Sequence, residues 1–276
     1  MSYDQYSPSG FRLLPLVVKN LLIINGLVYL AQVTMENVWQ IDLTNILGLH
    51  YFQSEHFRPY QFVTYMFLHG SFMHVFLNMF ALWMFGYLLE NFWGPKRFLS
   101  FYLVTGIGAA IVQMAVSYWD ISSMQAAAAA YAQQPSVDGF VLFVRKYFPI
   151  YYEHHEMIRG LISQWTVAPG NPEMAATSVQ YINDLMRIRM DVPTIGASGA
   201  VYGILLAFGM MFPNMLIYIY FLFPIKAKWM VLIYGAIEIA SGISNNPSDN
   251  VAHFAHLGGM IFGFFMILYW KKKARY

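Results

Sequence analysis

The chain has no cysteine, and only 11% of its 276 residues carry a formal charge, against roughly 25% in an ordinary soluble domain. The first absence excludes a disulfide framework, a thiolate nucleophile and a cysteine-ligated metal. The second removes the charged shell that keeps a globular domain in water. The net charge is only +2, and no basic stripe interleaved with aromatics occurs, which argues against a nucleic-acid partner. No small-residue cleavage site follows the first apolar run, and the polar start Ser2-Tyr3-Asp4-Gln5 is not that of a secretory signal, so the first run is expected to be retained. What remains is 58% apolar and 18% aromatic, the composition of a membrane protein.

Crossing a bilayer takes about 20 mostly apolar residues in a helix, because no water is present there to satisfy an open backbone. Six stretches of this sequence qualify, at approximately 15–35, 70–90, 97–118, 196–212, 228–245 and 252–270. Lys and Arg gather at alternate ends of these stretches: Arg12 and Lys19, Lys96 and Arg97, Lys226 and Lys228, then Lys271, Lys272, Lys273 and Arg275. With six spans, all four clusters fall on one side, which the positive-inside rule makes cytoplasmic, together with both termini. The expected fold is therefore an all-α polytopic membrane protein, a six-helix bundle occupying the whole chain as a single domain.

Two segments on the opposite side are long. The first, about 36–69, mixes aromatic and polar residues (Leu49, His50, Tyr51, Phe52, Gln53) and suits a loop lying in the membrane interface. The second, about 119–192 between the third and fourth spans, holds an alanine run at 126–130 and helical patterns around 139–165 and 173–190, with apolar residues such as Ile182, Leu185 and Met186 at helical spacing. It reads as an ordered helical insertion outside the bilayer.

Polar groups inside spans are costly and therefore mark functional sites by default. Three clusters stand out. The fourth span opens Gly196-Ala197-Ser198-Gly199-Ala200-Val201-Tyr202-Gly203, where small neighbours leave Ser198 unhindered beside N–H groups of a helix start. Its bland alternative is a small-residue face for helix packing through Gly199 and Gly203. The sixth span opens His253-Phe254-Ala255-His256-Leu257-Gly258-Gly259, with Gly263 beyond. His256, Gly259 and Gly263 share one helical face, and close approach of this face to the fourth span is what a Ser198–His256 hydrogen bond requires. Fifteen residues separate His256 from Lys271, about 22 Å of helix, which puts the histidine in the outer half of the bilayer at the depth of Ser198. His253, one turn nearer the surface, reads as an interfacial residue satisfied by water.

The second span carries His69-Gly70-Ser71-Phe72-Met73-His74, then Asn78. His74 and Asn78 are four residues apart, on one face, and two donors at that spacing suit an oxyanion site for acyl transfer. In isolation they would serve equally as interhelical packing bonds. A soluble serine hydrolase needs a strand-turn-helix context and an acid before the histidine. Here the serine opens a span, and although Asp249 precedes His256, a Ser–His dyad is the simpler reading. A metal enzyme built from His69, His74, His253 and His256 is the competing chemistry. It lacks a His-Glu-x-x-His signature, and carboxylates are scarce in the spans, with Glu90 near one end of the second and Glu238 in the fifth. A transporter is the non-enzyme alternative, but no paired broken helices occur.

Taken together, His69-Gly70-Ser71-Phe72-Met73-His74 with Asn78, Glu90-Asn91-Phe92-Trp93-Gly94, Gly196-Ala197-Ser198-Gly199-Ala200 and Ala255-His256-Leu257-Gly258-Gly259 resemble the rhomboid family in order and spacing, over about residues 60–265 without the 119–192 insertion. The resemblance implies a serine endopeptidase that cuts transmembrane helices of other membrane proteins near their outer ends. In that role Ser198 would be the nucleophile and His256 the base. His74, Asn78 and the Ser198 N–H would form the oxyanion site, with Tyr202 beneath the histidine ring. No cofactor or metal is implied, and a cell inner membrane is the expected location. Many members carry Trp-Arg in the first outer loop, where this chain has Tyr60-Gln61, so a different anchoring of that loop is expected.

Overall fold

The computed structural model describes residues 12–219, 222–244 and 251–273. Helices occupy all six places the hydropathy pattern selects: α1 (Leu16–Trp39), α4 (Phe72–Trp93), α5 (Pro95–Gln133), α10 (Ser198–Met211), α11 (Ala227–Ser244) and α12 (His253–Lys273). Four of them, α1, α4, α5 and α12, are long and apolar enough to cross a membrane, whereas α10 is a shorter apolar helix. Their outward faces remain apolar, with Leu30, Phe76, Leu77, Leu232 and Phe265 all exposed, as expected of surface solvated by lipid rather than water.

Helix α10 is the centre of the bundle and packs against α4, α5, α11 and α12. It is apolar almost all round, and Ala200, Val201, Ile204, Leu205, Ala207 and Phe208 are buried, the pattern of a helix with no face left for solvent. Its pairing with α12 depends on missing side chains. A Cβ on Gly259 would lie 2.7 Å from the carbonyl carbon of Gly199, so the two backbones touch where a side chain would separate them.

At the opposite end of the bundle, Glu90 on α4 is buried and accepts from the backbone N–H groups of Val17 and Val18, both at 2.8 Å. These are first-turn donors of α1, which have no acceptor within their own helix, and a carboxylate there also suits the positive end of the helix dipole. Asn91 adds bonds to both the N–H and the carbonyl of Arg12. A hairpin of β1 (Leu216–Ile219) and β2 (Phe223–Lys226), antiparallel with Leu216 opposite Lys226, links α10 to α11 at this same end. Hydropathy gave no sign of it.

The loop between α1 and α4 holds short helices α2 (Leu43–Leu47) and α3 (Gln61–Thr64) and a 3₁₀ turn at Tyr65–Phe67. Its anchor is Gln61, fully buried. The side-chain oxygen accepts from the N–H groups of His50 and Arg58, and the amide nitrogen donates to the carbonyls of Ile46 and His56. One amide thus ties four points of the loop together, where the resemblance led us to expect a different anchor from the usual Trp-Arg.

The insertion is continuous with the third span. Helix α5 does not stop at 118 but continues through the alanine run to Gln133, because Ala, Met and Gln favour helix and the first breaker is Pro135. At 1.5 Å per residue, 39 residues reach about 58 Å, nearly twice a hydrocarbon core of about 30 Å. The remainder folds as α6 (Val137–Tyr147), α7 (Pro149–His154), α8 (Glu156–Val167) and α9 (Pro172–Asp191) around its own apolar core, which includes Phe140, Ile158, Trp165 and Ile182. Ser178 on α9 meets Tyr131 at the end of α5 with 2.5 Å between hydroxyls, so the extended helix is part of the insertion's core.

Candidate active site

The backbone that leads into α10 is held from outside. Leu49 and Thr194 exchange two backbone hydrogen bonds of 2.9 Å, and the Gly196 N–H donates to the Tyr65 carbonyl at 2.9 Å. Tyr65 in turn donates its hydroxyl to the Gly106 carbonyl of α5 at 2.7 Å. Gly196 has φ of +128°, a conformation that only glycine adopts without strain, and it turns the chain so that Ser198 begins the helix. Ala197 supplies no side-chain cap, and Val201 is the first residue of α10 whose N–H finds an acceptor in the helix itself. The N–H groups of Ser198, Gly199 and Ala200 are the orphan donors of a helix start, where partial positive charge collects.

His256 lies in the first turn of α12, 7% exposed, and its Nε2 is 2.8 Å from Ser198 Oγ. Its ring stacks on Tyr202, one turn into α10, with centroids 4.1 Å apart and planes 6° from parallel. The touching Gly199 and Gly259 backbones sit one residue after Ser198 and three after His256, so the close helix approach and the hydrogen bond are one geometric feature. Gly263 continues the same face, with a Cβ there falling 3.5 Å from Gly203 Cα.

On α4, Ser71 caps the helix by accepting from the His74 N–H at 3.1 Å. The His74 ring rests against Gly196: a Cβ on that glycine would meet the ring's Cε1 and Nε2 at 3.0 Å and Ser198 Oγ at 3.5 Å. The Gly70 N–H donates to His74 Nδ1 at 3.4 Å. An accepting Nδ1 carries no proton, so the neutral ring presents N–H at Nε2, toward Gly196 and Ser198. Asn78, one turn further on and 6% exposed, has a buried Nδ2 without a hydrogen-bond partner among the described residues. His69, against the His74 ring at 4.9 Å, is buried as well.

The fifth helix contributes a residue that the sequence reading counted only as a scarce carboxylate. Glu238, 4% exposed in the middle of α11, accepts from the Tyr202 hydroxyl at Oε1 across 2.5 Å. Its Oε2 lies 2.6 Å from His253 Nδ1 and 2.9 Å from His256 Nδ1. The second of these is a close contact off the line of a hydrogen bond. His253 is therefore held by a carboxylate rather than by water at the interface, a correction to the expectation. The available signal was the cost of an acid inside an apolar helix. Asp249, the acid noted before His256, lies outside the described residues.

Glu238, His253 and His256 bring three potential metal-ligand atoms within 4.8 Å of one another, a donor set that suits zinc. This is not the His69, His74, His253 and His256 set considered from the sequence. Its His253–Glu238 separation of 2.6 Å is that of a hydrogen bond, and His256 turns its other nitrogen to Ser198. A zinc ion at about 2.0–2.2 Å from each ligand would have to displace those contacts.

Apolar helices around a buried Ser–His pair, with His74, Tyr202 and Glu238 against it, define a polytopic helical membrane protein with a polar site inside the bundle. The rhomboid domain model matches residues 56–132 and 146–273, and the chain belongs to the rhomboid family. The gap between the two matched parts, 133–145, covers the end of α5 and most of α6, so the match runs through more of the 119–192 segment than the motifs alone suggested. No curated protein matches the chain.

Proposed function

We propose that the protein is an active intramembrane serine endopeptidase that cleaves transmembrane helices of other membrane proteins near their outer ends. The observation that carries this reading is the 2.8 Å contact between Ser198 Oγ and His256 Nε2 at the start of α10, beside the N–H groups of that helix start. Family membership alone leaves the activity open, since relatives without it exist; those usually lack the serine or the histidine, and both are here. In the proposed arrangement α1, α4, α5, α10, α11 and α12 are six spans, the Lys-rich ends and both termini are cytoplasmic, and the site opens toward the outer side of a cell inner membrane.

A substrate helix hides its carbonyls in its own hydrogen bonds and must unwind locally to expose one. Ser198 then gives its proton to His256 Nε2 as Oγ bonds to the exposed carbonyl carbon. The resulting oxyanion is met by His74 Nε2–H, the Asn78 amide and the Ser198 N–H. His256 passes the proton to the departing amine, leaving an acyl-enzyme. Water entering the site gives a proton to His256, attacks the ester, and the proton returns to Ser198 as the acid product leaves.

The test is to mix the purified protein in detergent with a single-pass model substrate and identify fragments by mass spectrometry, beside Ser198→Ala and His256→Ala. Cleavage near the outer boundary of the substrate, abolished by either change, is the expected result. A folded wild type that cleaves none of several substrates would overturn the reading in favour of a binding or chaperone-like relative.

A further inference from the structure

A carboxylate in the middle of an apolar helix is expensive and is retained where it has work to do. Glu238 lies on α11, and α11 packs against both α10 and α12, the helices that carry Ser198 and His256. Its two oxygens reach three groups on these helices: Tyr202 on α10, and His253 and His256 on α12. Tyr202 is also the residue on which the His256 ring stacks. The carboxylate therefore touches both the histidine and the surface that fixes its plane.

We infer that Glu238 is the third member of a Ser198–His256–Glu238 arrangement, positioning His256 and stabilising it when it is protonated; this rests on the proposed protease activity. The two histidine nitrogens divide the tasks. Nε2 faces Ser198 and must carry a lone pair to accept its proton. Nδ1 must then hold the ring proton, and the acceptor 2.9 Å from it is Glu238 Oε2. In the resting structure that contact is off-line and the same oxygen is more tightly engaged by His253, at 2.6 Å. The inference requires the His256 ring to turn over the Tyr202 face until Nδ1 points at Oε2. When His256 takes the Ser198 proton, a buried anion adjacent to the new imidazolium offsets its charge where little water can. His253 and Tyr202 hold the carboxylate in place from either side. The role does not require Glu238 to take up a proton.

The experiment compares wild type, Glu238→Gln and Glu238→Asp in the cleavage assay, with thermal unfolding in detergent and ¹⁵N spectra of histidine-labelled protein. Losing the acid of a soluble serine triad costs about 10⁴ in kcat. With the contact off-line here, Glu238→Gln is expected to lower kcat by about 10²-fold or more, with KM within about twofold. Glu238→Asp, which keeps the charge, should regain at least about tenfold of the loss. The spectra should show His256 protonated at Nδ1 in wild type and redistributed between its nitrogens in Glu238→Gln. A purely structural role would instead lower the unfolding temperature of both variants alike and leave the tautomer unchanged. Unchanged kcat in a folded Glu238→Gln, or an unaltered His256 tautomer, would overturn the inference. A wild type as inactive as Ser198→Ala would be a failure of the protease reading, and the tautomer comparison would still decide the role of Glu238.

Discussion

Gly259→Ala adds one methyl group where two helix backbones touch. The new Cβ would lie 2.7 Å from the carbonyl carbon and 3.3 Å from the Cα of Gly199, and closer still to the carbonyl oxygen. Ordinary carbon–carbon contact is at about 3.5–4.0 Å, so α10 and α12 must part by about 1 Å. No flexible side chain is available to yield, because the obstructing atoms are backbone. Ser198 adjoins Gly199, and His256 sits one turn before Gly259, so the same opening stretches the 2.8 Å Ser198–His256 contact beyond hydrogen-bond range. Misplacement by about 1 Å costs about 10² in rate, while overpacking of this kind costs about 1–3 kcal/mol in stability. The variant should therefore remain folded in detergent with a lowered unfolding temperature and lose at least about 10²-fold in cleavage. Gly26→Ala on α1, where an added Cβ meets nothing within 4 Å, is the matched control and should leave cleavage unchanged without lowering the unfolding temperature, since Ala favours helix over Gly. Full turnover by Gly259→Ala would show that the backbone contact does not set the Ser–His distance.

Asn78→Ala should lower kcat by about 10²–10³-fold, the usual cost of one oxyanion donor, with little loss of stability because the Nδ2 it removes has no partner among the described residues; equal turnover in the fragment assay would remove Asn78 from that role. Glu90→Ala deprives two buried α1 donors of their acceptor and should cost about 1–3 kcal/mol for each donor left unpaired, seen as a lower unfolding temperature, and a stability equal to wild type would refute the capping account. Trp165→Ala empties the centre of the insertion's core at a cost of about 3–5 kcal/mol. Limited proteolysis should then cut within residues 134–191 before the spans, and unchanged protection of that segment would show that its core is not independent.

The apolar helices were legible because hydropathy reports on each helix alone. Six places were marked and six helices stand there, although length and composition alone qualify four of them as spans, leaving out α11 and α10, the latter only 14 residues long. Its shortness follows from what surrounds it. Gly196 and the bonds from Leu49 and Tyr65 hold the chain out of the helix until Ser198, and these are contacts with distant parts of the chain that a hydropathy window cannot contain. The continuation of α5 to Gln133 was missed for a different reason. The alanine run is neutral to a transfer scale, and its helix propensity says nothing about where a bilayer ends.

The candidate site divides in the same way. Ser198, His256 and His74, which the fold brings together, could be marked in the sequence because each sits in a local motif at a helix start. Glu238 has no such motif. Its neighbours in sequence, Ile237 and Ile239, are exposed apolar residues, and the three groups that engage it lie fifteen or more residues away on other helices. A rule that flags ionisable residues within spans does select it, but selection gives no partner, and without one Glu238 counted only as one of the few carboxylates in the spans. Once Tyr202 is known to lie beneath His256, the spacing acquires a meaning: the same helical turn that brings the tyrosine ring under the imidazole brings its hydroxyl to the carboxylate. The tyrosine's two ends thus join the Ser–His pair to α11, and a Tyr202→Phe change would keep the stack while releasing only that link.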